Sequence, residues 1–373
     1  MAASVVFENA TIAEAVRRIE RIAPKKGEAF DKASGIVFDI DPTSEFPVQM
    51  RATNLETYYR EWVGALEAQG EPTSWRLPSM TLASIVAKLP IGSSRNVRFS
   101  VEGNRILEIQ SGRFKAKLGM VPVDHYPSWE PFDPSSMSAI DNLGTRIEQV
   151  AWATAKGVPG SAIAAVRLNG SGLVATDRYR LASVPLEIAG LEGDLVVPLG
   201  NISSLIKEFG AVKVGVSGNM LTILPNDFTQ IMCNIYEAQF PNVERVIIRD
   251  HPEHVTVNKN HVIEVIERVI VADSKNRIPE MEMYIGSEEL AFFVKESDGL
   301  GSAGDALEIA GQATHPRTMI RMNPMALTEC LTAAPGDNVQ IHYRTDGKFS
   351  TVRVTAAHGF ESWLVPLVSR TES

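Results

Sequence analysis

The strongest constraint on what this chain can fold into is that it repeats itself three times. The stretch "KLPIGSSRNVRFSVEGNRILEIQSGRFKAKLGMVPVDHYPSW" begins at Lys88, and counterparts begin at Lys207 and Thr332. Each copy runs from a helix end through a glycine turn to an alternating strand. A tight turn, two more strands, an aromatic residue and a proline follow. The tight turns are Glu102-Gly103-Asn104, Ser217-Gly218-Asn219 and Thr345-Asp346-Gly347. Gly-Asn and Asp-Gly suit hairpins because the turn needs positive φ. Pro127, Pro241 and Pro366 close the three copies.

Upstream of each copy lie two stretches with helical spacing of apolar residues. In the first unit Ile12, Val16, Ile19 and Ala23 form one stripe within residues 11 to 23, and Leu82, Ile85, Val86 and Leu89 form a second. The second unit repeats this with Ile140, Leu143, Ile147, Val150 and Ala151, then Ile202, Leu205, Ile206 and Phe209. The third has Val262, Ile263, Ile266, Val269 and Ile270, then Met325, Leu327 and Leu331. Pro198 and Pro324 sit near helix starts, where a missing N–H costs little. The expected fold class is therefore α+β: three tandem homologous domains of about 120 residues, each with two helices and antiparallel sheets. Boundaries near Asp133-Pro134 and Asp250-His251-Pro252 give domains 1–133, 134–251 and 252–373.

Composition narrows the function. With 44% hydrophobic and 22% charged residues the chain reads as folded and soluble. Its apolar runs are far too short for a membrane span, and its start lacks the basic and apolar regions of a signal peptide. A cytoplasmic protein is expected. Cys233 and Cys330 are too few and too far apart for a disulfide or metal framework. The histidines are scattered, and His251 and His254 fall in an expected linker, exposed. No HExxH, GxSxG or P-loop motif occurs, so neither metal nor cofactor is expected.

A formal charge of −9 argues against coating nucleic acid by bulk attraction, yet the basic residues are not scattered evenly. Arg17 and Arg21 point away from the first apolar stripe, with Arg18 beside them, Glu14 on the same face and Lys25 just past Pro24. The equivalent helix of unit two offers Arg146, Gln149 and Lys156. Unit three offers Lys259, Arg268 and Lys275. The second helices add Lys88 and Lys207, whereas the last carries Glu329. Recurrence at three equivalent places suits sequence-independent phosphate contact, which needs a few spaced cations rather than base readers.

One stretch, "LVATDRYRLA" at 173–182, packs an acid, two bases and a phenol into apolar surroundings. Catalysis needs converging groups with shifted pKa values in a pocket. Here no second carboxylate, nucleophile–base pair or metal set accompanies Asp177, so a structural role in a turn is expected and an enzyme is not.

Three such units, with "VATDRYRLA" in the second, "FPNVERVI" after it and the ending "SWLVPLVSRTES", resemble the bacterial DNA polymerase III beta subunit, the sliding clamp. The family's signature is close to V-A-T-D-G-H-R-L-A, so Arg178 stands where glycine is usual and Tyr179 where histidine is. The motif "IYEAQFPNVERV" resembles L-V-D-G-R-F-P-D-Y-R-R-V, and "RATNLETYYR" in the first unit resembles A-T-D-L-E with Asn54 replacing an acid. The likeness in order covers essentially the whole chain and is strongest in the second unit.

The resemblance implies a head-to-tail homodimer closing a ring around duplex DNA, helices lining the hole and sheets forming the wall. Phe114, Ile270 and Val271 are the implied interface residues. A cleft between the second and third domains is implied to take peptides from the replicative polymerase, an ATP-dependent clamp loader and other clamp-binding proteins. Its positions are Leu168, Thr176, Arg178, Tyr179, Arg180, Leu181, Pro241, Arg245, Val246, Trp363, Leu364, Val365, Pro366 and Leu367. Leu181, Val246, Pro366 and Leu367 are expected as apolar sockets, and Arg180 and Arg245 as the polar rim. Arg178, Tyr179 and the extra "VSRTES" tail leave the peptide preference open. The alternative is a monomeric clamp-fold scaffold that does not encircle DNA.

Overall fold

The computed structural model describes residues 3–24, 32–90, 95–102, 105–129, 137–189, 191, 193–244, 246–273, 280–295, 301–309, 311–313, 317–345 and 351–367. Among these are the helices α1 (Asn9–Ile19), α2 (Ser79–Val86), α3 (Leu143–Ala151), α4 (Ser203–Lys207), α5 (Lys259–Ile270) and α6 (Pro324–Ala333). Among the described residues all strand pairings are antiparallel, in four sheets. The expected α+β class, with antiparallel sheets, is thus observed.

The chain forms two compact units. One comprises Met1–Gly144 with Asn201–Ile235, the other Thr145–Gly200 with Tyr236–Ser373. In the first, a five-stranded sheet ends on the edge strand Phe114–Gly119. Its eight-stranded sheet joins distant segments: Thr57–Trp62 pairs with Thr229–Asn234, placing Ile231 opposite Tyr59 and Cys233 opposite Thr57. In the second unit, another eight-stranded sheet forms where Arg180–Pro185 pairs with Glu361–Leu364, Leu181 lying opposite Trp363. A four-stranded sheet of Met281–Ile285, Glu289–Val294, Ala303–Glu308 and Thr318–Met322 packs against α5. Each eight-stranded sheet therefore draws strands from two neighbouring sequence repeats.

The helical stripes become core. Ile12, Ala15, Val16 and Ile19 of α1 are buried, and α1 packs on α2 through Leu82 and Val86. α1 ends at Ile19, ahead of Pro24. The chain leaves it through Ile22 and Ala23, whose N–H groups donate to the Ile19 carbonyl. Asn258 and Asn323 cap α5 and α6, each side-chain oxygen accepting two backbone N–H bonds. The hairpin at Ser217-Gly218-Asn219 forms as its chemistry requires, Gly218 taking φ 57° between paired strands. Two apolar positions differ from expectation. Ile140 lies in the strand Ser138–Asp141 rather than in a helix. Met325 is 49% exposed, since Leu327, Cys330 and Leu331 fill the inner face of α6.

The two histidines depart only in part from the linker reading: His251 lies outside the strands but is half-buried, and His254 is exposed but belongs to a strand. His254 lies in the strand Glu253–Asn258, its ring 5.3 Å from that of His342, and the His251 Nε2–H donates at 2.6 Å to the Thr351 carbonyl. Burial, then the charge of Arg353 and the neighbouring His254 and His251, push the His342 imidazole from 6.5 down to about 4. The unfolded chain takes a proton in that window which the folded chain refuses, so stability is full above pH 6.5 and falls as pH drops towards about 4. The melting temperature is expected to decline across this range and His342→Asn to flatten the decline. An equal slope in the variant would assign the effect elsewhere.

Candidate peptide-binding and nucleic-acid interfaces

The turn in "LVATDRYRLA" is built by its own polar side chains. The strand Gly172–Thr176 enters it and Arg180–Pro185 leaves, with Thr176 opposite Leu181. Asp177 Oδ1 accepts from the N–H groups of Tyr179 at 2.9 Å and Arg180 at 3.0 Å. Thr176 Oγ1 accepts from the Arg178 N–H at 3.0 Å and donates to the Arg180 carbonyl at 2.8 Å. With the turn fixed in this way, Arg178 is held at φ 81°, a conformation that favours glycine. Asp177 is therefore structural.

Arg180, expected on a polar rim, is instead only 13% exposed and fully engaged. Its Nε donates to Asp177 Oδ2 at 2.9 Å, its Nη1 pairs with Glu329 of α6, and its guanidinium lies 5.3 Å from the Trp152 ring centre. Lys156 joins the same carboxylate at 3.2 Å. Arg178 and Tyr179 remain exposed, Tyr179 at 75%.

The other positions expected to line the cleft divide into buried and more exposed ones. Leu168, Thr176, Leu181, Trp363 and Leu364 are buried. Leu181 and Trp363 share a core cluster with Phe240 and Val243, against which Ile247 packs. Trp363 Nε1 donates to the Ile248 carbonyl at 2.8 Å, which ties the segment after Pro241 to the final strand. Val246 is exposed, whereas Pro241, Val365, Pro366 and Leu367 are half-buried. The Val365 N–H donates to the Tyr179 carbonyl and the Leu367 N–H to that of Arg321. Leu181, expected as an apolar socket, is thus part of the buried core. Arg245 lies outside the described residues.

Most of the expected DNA-facing cations already have partners. Arg17 forks onto Glu208 at 2.9 and 2.8 Å, and Arg21 reaches the same carboxylate at 2.7 Å. Arg268 meets Asp305 at 2.6 Å. Lys259 donates to the Ala334 carbonyl at the end of α6. Arg146 approaches Gln149 Oε1 at 3.5 Å and the His358 carbonyl at 3.4 Å. Gln149, expected to face DNA, is instead buried, and the Trp152 Nε1 donates to its backbone carbonyl at 2.9 Å. Lys88 and Lys207 are exposed. Lys25 and Lys275 lie outside the described residues. Of the interface positions, Phe114 begins an edge strand, Ile270 ends α5 half-buried, and Val271 is 71% exposed.

Of the partnering carboxylates, Glu14 and Glu329 stand out in the sequence, whereas Glu208 and Asp305 do not. Glu208, for instance, lies 191 positions from Arg17 and carries no local signal beyond closing the α4 turn.

Among the described residues no group of His, Cys, Asp and Glu is arranged to hold a metal, and no helix is long and apolar enough to cross a membrane. Both cysteines are fully buried, which pushes each thiol up to about 12.

The fold is that of the sliding clamps. Over 98% of this chain it superposes on all of the DNA polymerase III beta subunit of Thermotoga maritima with a TM-score of 0.83 at 20% identity. The beta subunit of Streptococcus pyogenes superposes with a TM-score of 0.81 at 18% identity, covering 99% of this chain and 100% of that one. In sequence the chain is similar to the beta sliding clamp of Synechocystis, 24% identical over 298 residues, 71% of this chain and 74% of that protein. The beta sliding clamp of Caulobacter vibrioides is 27% identical over 229 residues, 56% of this chain and 59% of that protein. No family model matches the sequence. The resemblance read from the motifs is thus borne out in both sequence and fold.

Proposed function

We propose that the chain is a DNA sliding clamp. As a head-to-tail homodimer it encircles duplex DNA without sequence preference and tethers the replicative polymerase, acting without catalysis or cofactor. The observation that carries this reading is the end-to-end likeness of the fold to DNA polymerase III beta subunits, together with sequence similarity to beta sliding clamps. The domains are those of the repeats, 1–133, 134–251 and 252–373. The ring closes through the edge strand at Phe114 and the surface at Ile270 and Val271. A closed ring keeps the polymerase at high effective concentration on DNA while weak phosphate contacts permit sliding. An ATP-dependent loader opens the ring, and partner peptides dock around Tyr179, Val246, Pro366 and Leu367.

The test is topological. Protein loaded on nicked circular DNA should survive high salt and be lost after linearisation; salt-labile binding on both substrates would refute encirclement. A mass near twice 40.7 kDa in solution supports the ring, and a monomer at high concentration supports the scaffold reading instead.

Arg178 sets peptide preference. Because Arg180 is spent on Asp177 and Glu329, Arg178 is the cation of this turn left exposed to an incoming acid. Arg178→Gly suits the φ 81° backbone and should leave dimer mass unchanged. It should weaken an acid-bearing partner peptide by about 1.5 kcal/mol, roughly tenfold. Unchanged affinity for every partner peptide, measured by fluorescence anisotropy, would remove Arg178 from the site.

A further inference from the structure

The geometry points to Glu208 as a built-in competitor of DNA phosphate that weakens the grip of α1 on the duplex. This inference rests on the clamp reading above.

Arg17 and Arg21 stand four residues apart on one helix, an arrangement that is repulsive for like charges. Both nevertheless converge on a single carboxylate, which Arg17 grips with two nitrogens, at 2.9 and 2.8 Å, and Arg21 with one, at 2.7 Å. A fork of this kind suits carboxylate and phosphate alike. Glu208 therefore holds the two guanidinium groups side by side where a phosphate would take them. It also removes one unit of positive charge from the face they present.

The carboxylate stays ionised. The hydrogen bond from Arg17, opposed by burial and assisted by the Arg21 charge, holds its pKa below the ordinary 4.5. Folding gains little from the arrangement, because the Arg17 side chain is 50% exposed and exposed ion pairs contribute little to stability. What the pairs change is the exchange on binding: an arginine reaching phosphate must leave Glu208, and the freed carboxylate then repels the same strand. Phosphate contact becomes nearly neutral in free energy, which is the condition for sliding without sticking.

The pattern recurs in the other compact unit. Asp305 lies 2.6 Å from Arg268, which is 57% exposed. Two separately placed acids thus sit on expected DNA-facing arginines.

The experiment measures affinity for a short linear duplex against salt for wild type, Glu208→Gln and Glu208→Asp. Glu208→Gln should steepen the slope of log K against log salt by about 0.9, as one more phosphate is neutralised, and bind about five- to tenfold tighter near 0.1 M salt. Glu208→Asp keeps the charge and should retain the wild-type slope, a rescue that a role confined to folding would not give. Asp305→Asn repeats the test at an independent place should the first variant fold poorly, as read from its melting temperature. Wild-type slope and affinity in both neutralised variants would overturn the inference. Retention on nicked circles, scored separately on the wild type, decides the clamp reading.

Discussion

Replacing Arg180 with alanine is expected to cost about 3 kcal/mol of unfolding free energy, because it strips one partner from a largely buried ion-pair network. The guanidinium bridges Asp177 and Glu329 and lies against Trp152, so its loss strands two carboxylates and opens space beside an aromatic ring. The cost stays at the lower end of what buried pairs show, for two reasons. Asp177 keeps its two backbone N–H bonds, and Glu329 keeps Lys156. Arg180→Lys should fall between, since a single ammonium cannot fork across both acids. Urea denaturation measures this directly. A loss for alanine below about 1 kcal/mol would reduce the network to the worth of an exposed pair.

Gly144→Ala should be comparably damaging for a different reason. A Cβ placed there would lie 2.3 Å from the Lys207 nitrogen, 2.6 Å from its Cα and 2.7 Å from the Ser203 carbonyl oxygen. These are backbone atoms of α4 and cannot swing aside as a side chain does. The advantage of about 1 kcal/mol that alanine has over glycine belongs to helix interiors, and Gly144 is only the second residue of α3, so little offsets the cost of about 1–3 kcal/mol or more for forcing its backbone away from α4. A net loss is therefore expected. Gly64→Ala is the control: nothing lies within 4 Å of its added Cβ, so its stability should stay within about 0.5 kcal/mol of the parent. Equal stabilities for the two variants would mean that α3 and α4 slide apart freely at Gly144.

What was legible beforehand was whatever repeats locally. The stripe of Ile12, Val16 and Ile19 became the buried face of α1, and Ser217-Gly218-Asn219 became a hairpin, because period and turn chemistry are properties of neighbouring residues. The role of Asp177 in its turn was legible for the same reason. Nothing in a helical wheel says what lies opposite its polar face, however. Arg17 and Arg21 read as free cations until Glu208 was placed against them, and Gln149 read as DNA-facing although the fold buries it. Nor does a strand's alternation disclose its partner. The pairing of Thr57–Trp62 with Thr229–Asn234 is a decision of tertiary structure. Arg178 lay between these cases: its departure from the family pattern was visible, but the left-handed backbone that the turn imposes on it was not.

The sheet formed by Arg180–Pro185 and Glu361–Leu364 sets covalent order apart from mechanical order. A protease that nicked the exposed stretch around Arg249 and Asp250 would sever the peptide chain between the second repeat and the third. The two fragments would stay knitted together, because two intact strands from opposite sides of the nick remain hydrogen-bonded to each other. Separating them would mean unzipping a central seam of the sheet. The join between these repeats is thus a weave, and the connecting peptide is its least essential thread.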